Sequence, residues 1–432
     1  MKKIYQYILL VVAVVVTASC SNELDEALQP AGNGAIQFMV SDFPAFGESG
    51  QTRAIGTQDE GKTAWENGDQ IIVTLTSQKY GEQAAALTYD GSSWSTEASL
   101  SYLENETPSI SVVYAPCYEV TEEGTMQLRS GMPLGMTEYL SGNYEIENGI
   151  MTITFEGAIR TYSRLRIVGL PNHTLTVTTT DFTPAGATEV ATAAYTLTTD
   201  DNGNAFLYGV FAEGATVSVR QGDITLKDYT FTAEKNPNGT EHNKSYALDA
   251  TPVIDGTLGG KTEATEDDIT ALVEQLKEYV DNGITTIIVP GSEPAMIDVG
   301  SLTITAIGEA IYRLSKEESY NGKIDLVLPD VTEIVDQEFY GARALNSINL
   351  PKVTTVGDGA FYDCQYLEEL TFGSVVTAIN HKLRAEFYKV GEKVEGCDLV
   401  LNREQVNAEA DYQPNIETRT WWNTEWKSIT LK

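Results

Sequence analysis

LVLPDVTEIVDQEFYGARALNSINLPKVTTVGDGAFYDCQYLEELTFGSVVTAI, residues 326–379, repeats itself with a period of 22 residues. Leu326, Ile348 and Leu370 fall in register, as do Leu328, Leu350 and Phe372, and then Val331, Val353 and Val375. Phe339 and Phe361 match too, each followed by a tyrosine, Tyr340 or Tyr362. L-x-x-L-x-L spacing recurs within this period, at Leu345, Ile348, Leu350 and at Leu367, Leu370, Phe372, so each unit contributes one short strand. A single unit cannot bury its inward residues alone, and its neighbours must complete the core. The pattern predicts a stack.

This is leucine-rich-repeat spacing, and LPKVTTVGDGAFYDCQYLEELTF, residues 350–372, closely resembles the BspA-like leucine-rich repeat family. The resemblance covers the last third of the chain. It implies a surface that binds ligands, without naming one. Two clear units are too few for stability, so the flanking pieces must be further repeats or caps. Ile284 to Pro290 followed by Ala306-Ile307-Gly308-Glu309-Ala310-Ile311-Tyr312 looks like a degenerate first unit with the cadence of Val356 to Tyr362. Ahead of it, Thr265 with Asp268 three residues on makes a capping box, and Ile269, Leu272, Val273, Leu276 and Val280 form one apolar stripe. We read a helix ended by Asn282-Gly283 that caps the first repeat; the alternative is a partner-binding amphipathic helix. Register is lost after Ile379 and partly returns at Asp398-Leu399-Val400-Leu401. Trp421, Trp422 and Trp426 then close the chain. They are read as a cap on the last repeat, and they are also the candidate ligand-binding residues, because aromatic faces stack on sugar rings.

Residues 34 to about 250 read as all-β, with short apolar runs separated by turn signals such as Asn67-Gly68, Asp90-Gly91, Asn148-Gly149, Asn202-Gly203 and Asn238-Gly239. The spacing and length predict two sandwiches, residues 34–165 and 166–250. Thr52-Arg53-Ala54, then Trp65-Glu66-Asn67-Gly68-Asp69 leading into Ile71-Ile72-Val73, resemble the fimbrillin-like (Mfa-like) surface lipoproteins. Trp94, Tyr114-Ala115-Pro116 and Ser163-Arg164-Leu165-Arg166-Ile167 follow in the same order. That resemblance implies two transthyretin-like sandwiches of fimbria subunits and related adhesins. It also implies an edge groove completed by a neighbouring subunit's strand, through main-chain hydrogen bonds. Arg53 stands at the candidate site of proteolytic processing by a trypsin-like protease. For Trp65 and Trp94 core packing is the expected role. Residues 251–264 read as a linker, and 265–432 as the repeat domain. The expected fold is mostly β: two transthyretin-like β-sandwiches, then a short leucine-rich-repeat solenoid with an N-terminal capping helix.

Lys2, Lys3 and the apolar run Ile8 to Val16 predict a signal peptide over residues 1–19. Thr17-Ala18-Ser19-Cys20 resembles a bacterial lipobox, with Cys20 as the lipidated residue. The acidic tether 20–33 resembles a surface-export signal, which implies an outer-membrane, lipid-anchored, cell-surface location. A net charge of -34, more negative still without Lys2 and Lys3, repels nucleic acid. Cys117, Cys364 and Cys397 leave no disulfide framework, and Cys364 with Cys397 is the one pairing worth testing. The histidines His173, His242 and His381 fit no metalloprotease spacing, and neither a nucleophile elbow nor a Walker loop occurs. Asp200-Asp201-Asn202-Gly203-Asn204 looks like a calcium loop but lacks the closing glutamate, so a hairpin turn is the better reading. We therefore expect no catalytic residue, metal or cofactor.

The expected function is that of a surface adhesin or a tip, anchor or accessory protein of a fimbria. It recognises a host or bacterial surface protein or glycan through its repeats, with fimbrial subunits as candidate strand-exchange partners. A shaft subunit is disfavoured, since about 180 further residues follow the β region. The alternative is a glycan-binding accessory lipoprotein of a polysaccharide-uptake system. Cys20→Ala is expected to move the protein from the membrane fraction to the soluble fraction on cell fractionation; unchanged membrane association would refute the lipid anchor.

Overall fold

The computed structural model describes residues 37–44, 62–102, 106–147, 150–155, 160–234, 238–318, 320–380 and 387–432. Cys20 and Arg53 lie outside them. The chain is mostly β, with two α-helices among the described residues. It divides into two compact units. The first comprises the described residues up to Arg220 and Thr225–Ala250, and the second comprises Thr251–Lys432 with Gln221–Ile224.

Among the described residues the first unit holds two seven-stranded sheets and a two-stranded one, Tyr118–Val120 with Met126–Leu128. One runs in the order Gln37–Val40, Ile150–Thr154, Leu140–Glu147, Ser109–Tyr114, Gln70–Ser77, Gly81–Tyr89, Trp94–Ser95. Alternation in Gln70–Ser77 sends Ile71, Val73 and Leu75 into a core with Leu87, Val112, Leu140, Met151 and Ile153. Ile72 points the other way, into a smaller cluster with Ala84, Val113 and Cys117. Leu140–Gly142 pairs with the strand Ser109–Tyr114 and Asn143–Glu147 with Ile150–Thr154, so one strand carries the chain from one layer to the other. Gly142 sits at that passage because a β-carbon there would meet the Phe155 ring at 3.0 Å and Val112 at 3.2 Å.

Trp65 and Trp94 pack edge to face with centroids 4.9 Å apart, beside Phe43 and Tyr114. Asp69 closes the turn between Trp65 and the strand, accepting the Glu66 N–H at 2.7 Å and the Tyr114 hydroxyl at 3.2 Å. The edge strand Gln37–Val40 runs parallel to Ile150–Ile153.

The second sheet runs Ile224–Thr230, Thr216–Gln221, Thr174–Pro184, Asn204–Phe211, Ser163–Val168, Ser245–Asp249, with Ala191–Thr198 also on Thr174–Pro184. Its core stacks Phe182 on Phe211 and Phe211 on Phe231, with centroids 4.4 and 4.8 Å apart. Ser163–Val168 pairs wholly within this sheet. The expected cut at 165/166 therefore runs through a strand, and the division falls before Ser163.

The second unit begins inside the segment expected to be a linker. Ile254 is fully buried and donates its N–H to the Ile288 carbonyl at 2.9 Å, while Glu263 bridges Met296. The glycines and proline of 251–264 make turns within the unit rather than a tether.

The first helix, α1, spans Glu266–Asp281 and has the capping box from Thr265 and Asp268. It buries Ile269, Leu272, Val273, Leu276 and Tyr279 and lies against α2, Ala306–Lys316. Arg313 of α2 bridges Glu266 at 2.6 Å, and Lys277 bridges Glu317 at 2.7 Å. Thus Ala306 to Tyr312 is a helix and not the turn of a first repeat. Ile307, Ala310, Ile311 and Leu314 recur at helical spacing behind the N-cap Thr305, and that period overrides the resemblance in cadence.

From Thr286 onward each turn of chain lays down a parallel strand. Thr286–Ile288, Ile324–Val327, Leu345–Leu350, Glu369–Phe372, Asp398–Leu401 and Ser428–Leu431 form one six-stranded sheet. Glu333–Ile334, Thr355–Val356 and Ala378–Ile379 form a second, smaller one. Between the sheets Phe339, Phe361 and Phe387 stack at successive spacings of 5.7 Å, with Tyr340, Tyr362 and Tyr388 alongside at 5.3 and 5.0 Å. Phe387 continues the ladder beyond the point where the 22-residue register ends. Phe361, fully buried between two rings, is expected to cost about 3–5 kcal/mol when changed to alanine. Denaturant unfolding should show that loss for Phe361→Ala; a change below about 1 kcal/mol would mean that the ladder does not hold the stack.

Candidate binding surface

The outward face of the six-stranded sheet presents side chains in rows fixed by its register. Thr286, Asp325, Ser347, Glu369, Asp398 and Ser428 align in one row, and Ile288, Val327, Asn349, Thr371, Val400 and Thr430 in the next, where Val400 is buried. Neighbouring strands stand about 4.8 Å apart, so the row is a ruler of acids and hydroxyls. Asp325 accepts from Asn346 at 2.9 Å and Ser347 at 2.7 Å, and Asp398 accepts from Ser428 at 2.7 Å. Lys323 reaches Glu368 at 2.6 Å and Asn346 at 3.0 Å at the edge of the same face. These bonds hold three carboxylates in fixed directions. Such a face suits a partner rich in hydrogen-bond donors.

The terminal tryptophans do not form a surface platform. Trp421 and Trp426 are 1% and 2% exposed, with centroids 5.7 and 5.3 Å from Phe387, and Trp421 also meets Phe372 at 5.7 Å. Their indole N–H groups donate inward, to the carbonyls of Tyr412 and Trp421. Trp422 is half-buried and stacked on Tyr412 at 5.2 Å. As ligand-binding residues Trp421 and Trp426 are ruled out by burial: they end the aromatic ladder.

Residues 322–390 match the BspA type leucine rich repeat region. The match takes in the three-member ladder from Phe339 to Phe387 and three of the six parallel strands, Ile324–Val327, Leu345–Leu350 and Glu369–Phe372. No curated protein matches the chain. Among solved structures, a candidate cell adhesion protein from Bacteroides fragilis NCTC 9343 aligns at 13% identity and a TM-score of 0.27, covering 50% of this chain and 93% of that one. The shaft pilin SpaA of Lactobacillus rhamnosus GG aligns at 11% identity and a TM-score of 0.16, covering 43% and 88%.

Two features that sequence reading left open are settled by the packing. Cys364 and Cys397 are free thiols, both buried, and burial pushes the Cys364 thiol up to about 12. The Cys364 Sγ donates to the Phe339 carbonyl at 2.9 Å, locking one repeat to the next. Asp200 closes a hairpin turn, its Oδ1 accepting the N–H groups of Asn202 and Asn204, each at 2.8 Å.

Two buried carboxylates escaped sequence reading, since their partners are remote in the chain. Glu138 in the first unit accepts through Oε2 from Arg160 Nη2 at 2.8 Å, Arg160 Nε at 3.2 Å and the Tyr162 hydroxyl at 3.3 Å. Its Oε1 has no hydrogen-bond partner among the described residues, a condition that costs a buried acceptor about 1–3 kcal/mol. Burial raises its pKa against the opposing pull of Arg160.

Glu338 in the second unit lines a cavity of about 230 Å³ with Val289, Met296 and Ile334. It accepts from the N–H of Thr305 at 3.2 Å and from the Thr305 hydroxyl, at the N-terminus of α2. Gly308 leaves it room, since a β-carbon there would lie 2.5 Å from Glu338 Oε1.

Burial pushes the Glu338 carboxyl from 4.5 up to about 7, with the Thr305 donors opposing. An acid whose pKa is higher folded than unfolded binds its proton more tightly when folded, so stability falls as pH rises from about 4.5 to about 7. Measured from pH 4.5 to 7.5, the native chain should lose stability relative to Glu338→Gln across that window. Parallel curves for the two proteins would refute the assignment.

Proposed function

We propose that the protein is a lipid-anchored cell-surface adhesin, or a tip, anchor or accessory protein of a fimbria, that recognises a surface partner through its repeat region. In this reading the second unit is a leucine-rich-repeat solenoid, and the first unit is a stalk of two transthyretin-like sandwiches. The observation that carries it is the row Asp325, Ser347, Glu369, Asp398, Ser428, a face of acids and hydroxyls held in register. Parallel strands repeated in register multiply one weak contact into many, which suits adhesion better than turnover. We read the protein as non-catalytic, without cofactor or metal.

The first unit supports the fimbrial part of the reading. Gln37–Val40 is a short parallel edge strand, and Arg53 follows it in sequence, ahead of Gln70–Ser77, the next of the described strands. Cleavage at Arg53 would detach the residues before it and open the edge of Ile150–Thr154 to a strand from another subunit. The polysaccharide-uptake reading leaned on Trp421, Trp422 and Trp426, and the burial of two of them removes that support.

The test is binding of the whole chain to arrays of host matrix proteins and bacterial surface proteins, beside the variants Asn349→Arg and Glu369→Arg. Both positions are exposed on the sheet face, so folding should be unaffected. Binding that falls at least tenfold in either variant is expected. Binding equal in all three proteins would remove the sheet face from the reading, and no binding to any surface protein would overturn the adhesin.

A further inference from the structure

The first unit contains a cavity of about 400 Å³, within the range of small-ligand sites, between its two sheets. Glu138, 5% exposed, lines its interior, and the exposed residues Thr198 and Asp200 stand at its rim. Oε1 of Glu138 is the orphan acceptor described above. Lys62 and Asn204 supply N–H donors, and the Phe206 and Tyr208 rings, 6.4 Å apart and inclined at 33°, make an apolar wall.

The chemistry of these groups narrows the occupant. An anion would meet Glu138 and Asp200. A cation would add little, because Glu138 already has the Arg160 guanidinium at 2.8 Å and Lys62 stands on the same wall with its ammonium 2.7 Å from Asp69. A hydrocarbon would leave Oε1 unpaired and strip water from the other polar groups. What remains is a neutral molecule whose groups both donate and accept, with an apolar face for the aromatic wall. We propose that this cavity binds one neutral sugar ring, with a ring hydroxyl donating to Oε1 of Glu138 and the ring's apolar face against Phe206 and Tyr208. The orphan acceptor is then satisfied by the ligand. The site lies in the first unit and is independent of the sheet face of the repeat region, so either reading can fail without the other.

The test is saturation-transfer NMR on the whole chain with a panel of neutral hexoses, pentoses and N-acetylhexosamines, with glucuronate and butylammonium as charged controls. Saturable binding of at least one neutral sugar is expected, weakened at least tenfold in Glu138→Gln and abolished in Thr198→Trp. The tryptophan is placed at an exposed rim position so that it blocks the mouth without touching the buried ion pair. Should Glu138→Gln fail to fold, Thr198→Trp and Asn204→Ala decide the matter, the latter with a weakening of at least tenfold. Absence of binding by every neutral sugar, preference for either charged control, or binding that survives Thr198→Trp would each overturn the proposal.

Discussion

A stack of parallel strands has two ends, and each end exposes the apolar interior of a unit that expects a neighbour. The architecture of the second unit follows from that constraint. At one end Val253 and Ile254 pair with Ile288 of the first strand, and ahead of the second strand two helices are tied by Arg313 to Glu266 and Lys277 to Glu317. At the other, Trp421 and Trp426 lie against Phe387 and finish the row of rings that began at Phe339. Large aromatic area is well suited to the task, since one indole covers what two aliphatic side chains would, and its N–H finds a backbone carbonyl inside the cap. The sheet face between the ends is left free to be polar.

The repeat was legible because Phe339 and Phe361, with their following tyrosines, return at a constant interval. Phe387 was not, because the turn before it is longer and the interval changes while the stacking distance does not. The α1 helix was legible through a local device, the capping box of Thr265 and Asp268. The α2 helix was read as a repeat, since its small and apolar residues mimic the cadence of Val356 to Tyr362 until the pattern is followed as far as Leu314. The segment 251–264 looked like a linker because Gly and Pro signal turns equally well inside and outside a folded unit; the burial of Ile254 and the pairing of Ile254 with Ile288 and Glu263 with Met296 distinguish the two. The Glu138–Arg160 pair is 22 residues apart in a chain with 62 acids, and nothing local singles it out.

Two of the buried carboxylates, Glu138 and Glu338, are handled differently. Glu138 lies beside a guanidinium that is itself fully enclosed and opposes the upward push of burial on its carboxyl, an arrangement that fixes geometry more than it adds stability. Glu338 has only the hydroxyl and N–H of one threonine, and burial favours its protonated form. A neutral Glu338 can donate as well as accept, and the pairing with Thr305 then needs no countercharge.

The parallel edge strand Gln37–Val40 has a bearing on how the first unit is assembled. Its partner, Ile150–Thr154, lies far along the chain, and the Ser41 hydroxyl accepts the Phe155 N–H across 114 residues of sequence. Closing so long a loop is entropically unfavourable and is repaid by only a few ladder bonds. During synthesis, which proceeds at roughly 5–20 residues per second, the earliest strand to emerge must wait several seconds for its partner. The hairpin of Gln70–Ser77 with Gly81–Tyr89, closed by three residues, can form meanwhile. The first of the described strands therefore cannot be seated until Ile150–Thr154 has been made.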